Sequence, residues 1–148
     1  MKHILILSLA FLVAAGCSSS PVASDGATFP RTGVGVVIDR FQLVGLPVGP
    51  SRVISEADIG SFAETPDEAI AFGIPLCTDC SGRVLAFASV SAMERAMAHL
   101  QQTPSLGDGA SSWLFPYGQV LVQLDGRVPR EWAVQYQDAL QSLARSTD

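Results

Sequence analysis

Cys77-Thr78-Asp79-Cys80 is the part of this chain whose residue types and spacing are best suited to chemistry. Two cysteines so spaced support thiol–disulfide exchange, because the second thiol can release a mixed disulfide formed on the first. Exchange is favoured when a helix N-terminus or a cation lowers one thiol's pKa. Here Ser81-Gly82-Arg83 and an apolar strand-like run follow Cys80, and Asp79 between the sulfurs would raise a thiol pKa. The pattern therefore reads first as a local disulfide, Cys77 to Cys80, pinning a turn before a strand. Redox exchange or metal handling by the same two cysteines is the alternative.

The remaining chemistry-bearing residues form no pattern of comparable strength. Structural zinc takes four ligands, and one cysteine pair supplies two. Met93 and Met97 share one helical face with apolar neighbours, whereas His99 lies about 140° from their mean direction at helical spacing. No G-x-S-x-G elbow surrounds any serine, and Asp67-Glu68 reads as acidic residues in the first turn of a helix. No catalytic residue, metal ligand or cofactor is assigned. Trp113, Phe115 and Tyr117, in the densest aromatic segment, are a candidate binding surface or the core at the entry to a strand. Pro116 places that strand at an edge or a turn.

The beginning of the chain carries a different signal. Lys2 is followed by residues 4–15, in which Ser8 is the only polar side chain. A charged start, a short apolar run and small residues before a cleavage point make a secretory signal peptide. The run is shorter than the roughly 20 residues of a spanning helix. Ala14-Ala15-Gly16-Cys17 resembles the lipobox of bacterial lipoproteins, in which leucine is commoner at the place held by Ala14. The resemblance implies cleavage before Cys17 and fatty acyl chains such as palmitate on that cysteine. It further implies a protein held on the extracytoplasmic side of a membrane in the cell envelope. Ser18 and Ser19 resemble the outer-membrane default, where an outer membrane is present. Outside the cytoplasm, the remaining cysteines Cys77 and Cys80 are expected to be oxidised.

A second resemblance involves the cysteine pair. Cys77-x-x-Cys80, Gly82, the strand ending at Ser89 and the methionine-containing helix beyond it are similar to the copper-binding lipoproteins of nitrous-oxide reductase maturation. That family places methionine beside cysteine, and Thr78, Asp79 and Ser81 depart from it. It would imply copper as the cargo.

These segments must be positioned by a single domain. Residues 1–16 form the signal peptide, residues 17–31 a flexible tether of mostly Ser, Ala, Gly, Pro and Asp, and residues 32–148 one folded unit. Removal of the leader takes away Lys2, leaving eight arginines against fourteen carboxylates, a net charge of −6. Those arginines are scattered singly, so no basic footprint for nucleic acid is present. Membrane attachment would rest on the acyl chains.

The β-branched run at residues 33–41 reads as a strand. Gly33 and Gly35 are not expected to form a nucleotide loop, because no third glycine follows and the run continues as strand. Residues 42–66 read as loop with an extended piece at 52–55, and residues 67–72 as a short helix behind Thr65 and Pro66. Residues 83–89, apolar on both alternating faces, read as a central strand. A helix opens at Ser91 with a Ser-x-x-Glu capping box, its stripe formed by Ala92, Met93, Ala96, Met97 and Leu100. Residues 119–125 alternate, with Val120, Val122 and Leu124 inward and Gln123 and Asp125 outward. A last helix after Pro129 stacks Trp132, Tyr136, Leu140 and Leu143.

The expected fold is α+β, a small two-layer sandwich with helices on one face of a mainly antiparallel sheet. The expected function is that of a lipid-anchored, non-catalytic binding or accessory domain. Its partner would be an envelope protein or a small ligand.

Overall fold

A computed structural model describes residues 32–55, 58, 64–102 and 111–146. The expected signal peptide, Cys17 and the tether lie outside the described residues. In chain order the elements are α1 (Val34–Leu43), β1 (Ser51–Val53), β2 (Glu68–Gly73), β3 (Ser81–Ala86) and α2 (Val90–Gln102). They are followed by β4 (Trp113–Tyr117), β5 (Val120–Leu124) and α3 (Arg130–Gln141), which continues into a 3-10 turn at Ser142–Ser146.

The five strands form one sheet in the order β1-β2-β3-β5-β4, with every neighbouring pair antiparallel. The α+β class and the antiparallel sheet are as expected. Helices α1 and α3 cover one face, packing Val37, Ile38, Phe41, Ala133, Tyr136 and Leu140 onto Phe72, Val84, Val122 and Leu124. Helix α2 covers part of the other face, setting Ala92, Met93 and Ala96 over Ala69, Leu85 and Leu121, so the helices lie on both faces of the sheet and not on the single face expected. Strand β5 and the second half of β3, Val84 to Ala86, are thereby buried on both faces.

Two expected elements are of the opposite type. The expected strand at 33–41 is helix α1. Its buried residues Val34, Val37, Ile38 and Phe41 fall at i, i+3, i+4 and i+7, and burial of that stripe outweighs the β-branched residues' strand preference. Each fully buried side chain contributes about 2 kcal/mol. A helix therefore does follow Gly33, and only the missing third glycine still speaks against a nucleotide loop there. The N-terminus of α1 is tied to the sheet, where Glu68 Oε2 accepts a hydrogen bond from the Val34 N–H at 3.3 Å.

The expected helix at 67–72 is strand β2. Its Thr-Pro-Asp start resembles a helix N-terminus, but β2 pairs along its length with β3 and at its far end with β1. Paired on both sides, it sends Phe72 into the core on one face and Ala69 into the core on the other.

Smaller differences occur at element ends. Helix α2 opens one step earlier than expected: Ser89, not Ser91, caps it, its hydroxyl accepting from the Ala92 N–H at 3.1 Å. The β4–β5 hairpin closes through Gly118 and Gln119. Gly118 has φ +54°, a left-handed conformation that a two-residue turn favours and glycine adopts without steric cost.

An aromatic group locks the α1/α3 face. Phe41 and Tyr136 meet edge to face with ring centroids 5.0 Å apart, and Phe72 packs on both. The Tyr136 hydroxyl donates to the Pro47 carbonyl at 2.6 Å. Burial of the phenol pushes its pKa up to about 12. Gly82 is required beneath this group: a Cβ there would come within 3.0 Å of three Phe72 ring atoms.

Candidate functional site

The cysteine pair occupies a turn between Ile74 and β3. Cys77 and Cys80 are joined as a disulfide, their Cα atoms 5.4 Å apart. Cys80 is buried at the margin of the α1/α3 core, with Cys77 packed partly against it. The backbone closes around the bridge through hydrogen bonds from the Cys80 N–H to the Cys77 carbonyl and from the Ile74 N–H to the Cys80 carbonyl. Asp79 takes a left-handed φ of +58°, which a short polar side chain tolerates better than most.

A clamp from the end of β5 holds this turn. Arg127 donates through Nε to Asp125 Oδ1 at 3.0 Å and through Nη2 to Asp125 Oδ2 at 2.7 Å. Its Nη2 also reaches the Asp79 carbonyl at 3.3 Å. The hydrogen bonds from Arg127 hold the Asp125 carboxyl below the usual carboxylate range, although burial opposes them. Bonded cysteines in a clamped turn, with strand β3 following, brace the fold at this point. Among the described residues no three His, Cys, Asp or Glu side chains gather as a metal centre requires. On α2, Met93 is buried and Met97 packs partly buried against the same apolar cluster.

The aromatic segment forms β4, an outer strand, as Pro116 indicates. Phe115 and Tyr117 are buried in the α1/α3 core and Trp113 packs against it. The Trp113 indole N–H donates to the Val128 carbonyl at 3.0 Å. The three rings consequently spend most of their surface on packing and little on solvent.

Polar groups missed in the sequence lie on the sheet face that α2 shares. Strand register aligns Arg52 (β1), Ala71 (β2), Arg83 (β3) and Gln123 (β5) in one cross-strand row. Gln123 and Asp125, expected to point to solvent, are both buried. Gln123 is covered because β5 is an inner strand packed on both faces. Its Nε2 donates to the Ser112 hydroxyl at 3.1 Å, and its Oε1 has no partner.

Arg52 and Arg83 line one open cavity of about 230 Å³ together with Pro50, Ser81, Gly73 and Asp58. Arg52 lies 3.6 Å from Asp58, and both side chains are substantially exposed. The Ser55 hydroxyl and N–H hold Asp58 below its ordinary pKa, with Arg52 adding a smaller effect. Arg83 is half-buried. Burial, and secondarily the charge of Arg52, disfavours its cationic form and lowers its pKa, although a guanidinium stays protonated throughout the working range.

Compared with protein-family models, curated proteins and solved structures, the chain matches none. No described helix is long and apolar enough to cross a membrane.

Proposed function

We propose that this chain is an exported lipoprotein, anchored through Cys17, whose α+β domain serves at the envelope as a binding or accessory module without catalysis. The observation that carries the reading is the Cys77–Cys80 bridge. A bonded pair built into a turn suits an oxidising compartment, the same compartment implied by the lipobox-like Ala14-Ala15-Gly16-Cys17. Cys80 is buried and its backbone is engaged on both sides, an environment that suits a brace more than an exchanging thiol.

Replacing Cys17 with alanine tests the anchor. Wild-type protein incorporates labelled palmitate and sediments with membranes; C17A does neither and accumulates as uncleaved precursor. Processing of C17A at the same bond, with continued membrane attachment, would refute the proposal. Metal analysis and the reduction potential of the purified protein address the cysteines: a brace is metal-free with a potential below about −300 mV, whereas a metal site carries stoichiometric metal and an exchanging pair lies nearer about −200 mV.

A further inference from the structure

We propose that the cavity between β1 and β3 is an anion-binding site, in which the Arg83 guanidinium, assisted by Arg52, receives an oxyanion, a carboxylate or phosphate group of a small ligand. The inference rests on the reading of the domain as a binding module, but not on its anchor.

The first support is how the other arginines are treated. Arg127 has both oxygens of Asp125, Arg95 is paired with Glu64, Arg52 lies beside Asp58, and Arg40 donates to Ser142, whereas Arg130 and Arg145 are exposed to solvent. Arg83 is half-buried, and among the described residues its side chain has neither an ion pair nor a hydrogen bond. A guanidinium carries five donors in a planar fork matched to two-oxygen anions. Leaving it partly desolvated without an acceptor is costly.

The second support is placement. Arg52 and Arg83 both pair with Ala71, one from each side of β2, and therefore face the same way. Ala71 between them has a side chain too short to fill the space. Two like charges on one face repel, and an anion between them removes the repulsion. The cavity lining sums to +1, two arginines against Asp58, within a chain of net charge −5.

The third support is size and composition. A cavity of about 230 Å³ is smaller than the roughly 300–1,000 Å³ of sites that enclose a whole drug-sized ligand. It suits one anionic group, the remainder of the molecule projecting outward. Ser81 on the rim supplies a hydroxyl that can donate, and Ile54 and Pro50 supply apolar wall.

The test uses the purified full chain with sodium phosphate and, separately, sodium acetate at constant ionic strength set by chloride. Calorimetric titration and thermal melting are the readouts. The expected result is binding of at least one oxyanion with a rise in melting temperature, as for any ligand that binds only the folded state. R83Q should weaken that binding about tenfold or more, the scale of a lost charge-assisted hydrogen bond. R52Q, at an exposed position, should weaken it about threefold. R83Q should melt no lower than wild type without added anion, so that lost binding is not lost folding. Stronger binding of acetate points to a carboxylate ligand, and of phosphate to a phosphorylated one. Failure of both anions to act differently from chloride, or unchanged affinity in R83Q, would overturn the proposal. Lipid labelling at Cys17 would stand or fall separately.

Discussion

The two faces of the sheet are made by the same strands and finished differently. On the α1/α3 face, Val84, Val122 and Leu124 are fully covered, and the interlocked rings of Phe41, Phe72 and Tyr136 complete the packing. The other face changes character within one cross-strand step. Leu85 and Leu121, paired across β3 and β5, lie in the apolar cluster beneath α2. The next row is Arg52, Ala71, Arg83 and Gln123. Because alternate residues of a strand point to opposite sides, β3 sends Val84 into the closed core and Arg83 into the open cavity from adjacent positions. A small domain can thus keep one face closed for stability and leave part of the other open to solvent.

The largest effect is expected where the closed face is broken. Val122→Asp places an unpaired carboxylate in a fully buried position and should cost about 4 kcal/mol or more, a large part of the 5–15 kcal/mol typical of a domain. Denaturant titration should show the cooperative transition lost or moved to much lower concentration. Arg83→Gln on the other face should stay within about 0.5 kcal/mol of wild type. Equal destabilisation by both would mean that the two faces are not divided as described.

A middle-sized effect is expected at the rim of the closed core. Changing Cys77 and Cys80 together to serine should cost about 2 kcal/mol, the value for so short a closed loop. Thermal denaturation of C77S/C80S alongside the wild type measures it. Anion binding by Arg83 should persist, because the bridge packs against the α1/α3 core and not against the cavity.

The smallest effect concerns the satisfied arginine. Arg127 holds the Asp125 carboxyl below its usual range, so the folded state favours the ionised form. The resulting stability is fully present above the unfolded Asp pKa of about 4. It is lost as pH falls through the lower folded value. Arg127 is partly exposed, which limits the contribution to about 1 kcal/mol. Asp125→Asn should reduce stability by about that much at pH 7 and flatten its decline between pH 5 and 2, as followed by denaturant midpoints.

Legibility in the sequence divided along similar lines. Helices α2 and α3 and strands β3 and β5 were readable, because each prints its own periodicity: Ala92, Met93 and Ala96 in one, Val120, Val122 and Leu124 in another. Helix α1 was hidden by composition, since Val36, Val37 and Ile38 are β-branched even though Val34, Val37, Ile38 and Phe41 carry the helical stripe. Strand β2 was hidden because Ala69 to Phe72 becomes a strand through partners elsewhere in the chain. The outer position of β4 followed from Pro116, and the disulfide spacing was plain from Cys77 and Cys80. The meeting of Arg52 with Arg83 was not, since it depends on two strand registers across β2 that no local pattern records. Gln123 looked solvent-facing for the same reason, its cover being supplied by tertiary packing.

The two outer strands have a consequence for behaviour in a crowd. An unfinished sheet edge is a template on which further copies can polymerise, one strand at a time, toward a cross-β fibril. Among the described residues, β1 ends the sheet at one side after three residues, too short to seed a stable ladder. At the other side β4 presents exposed Pro116, which brings no N–H to an incoming strand. Copies of this chain packed side by side at high surface density can therefore touch at their edges without growing into one continuous sheet.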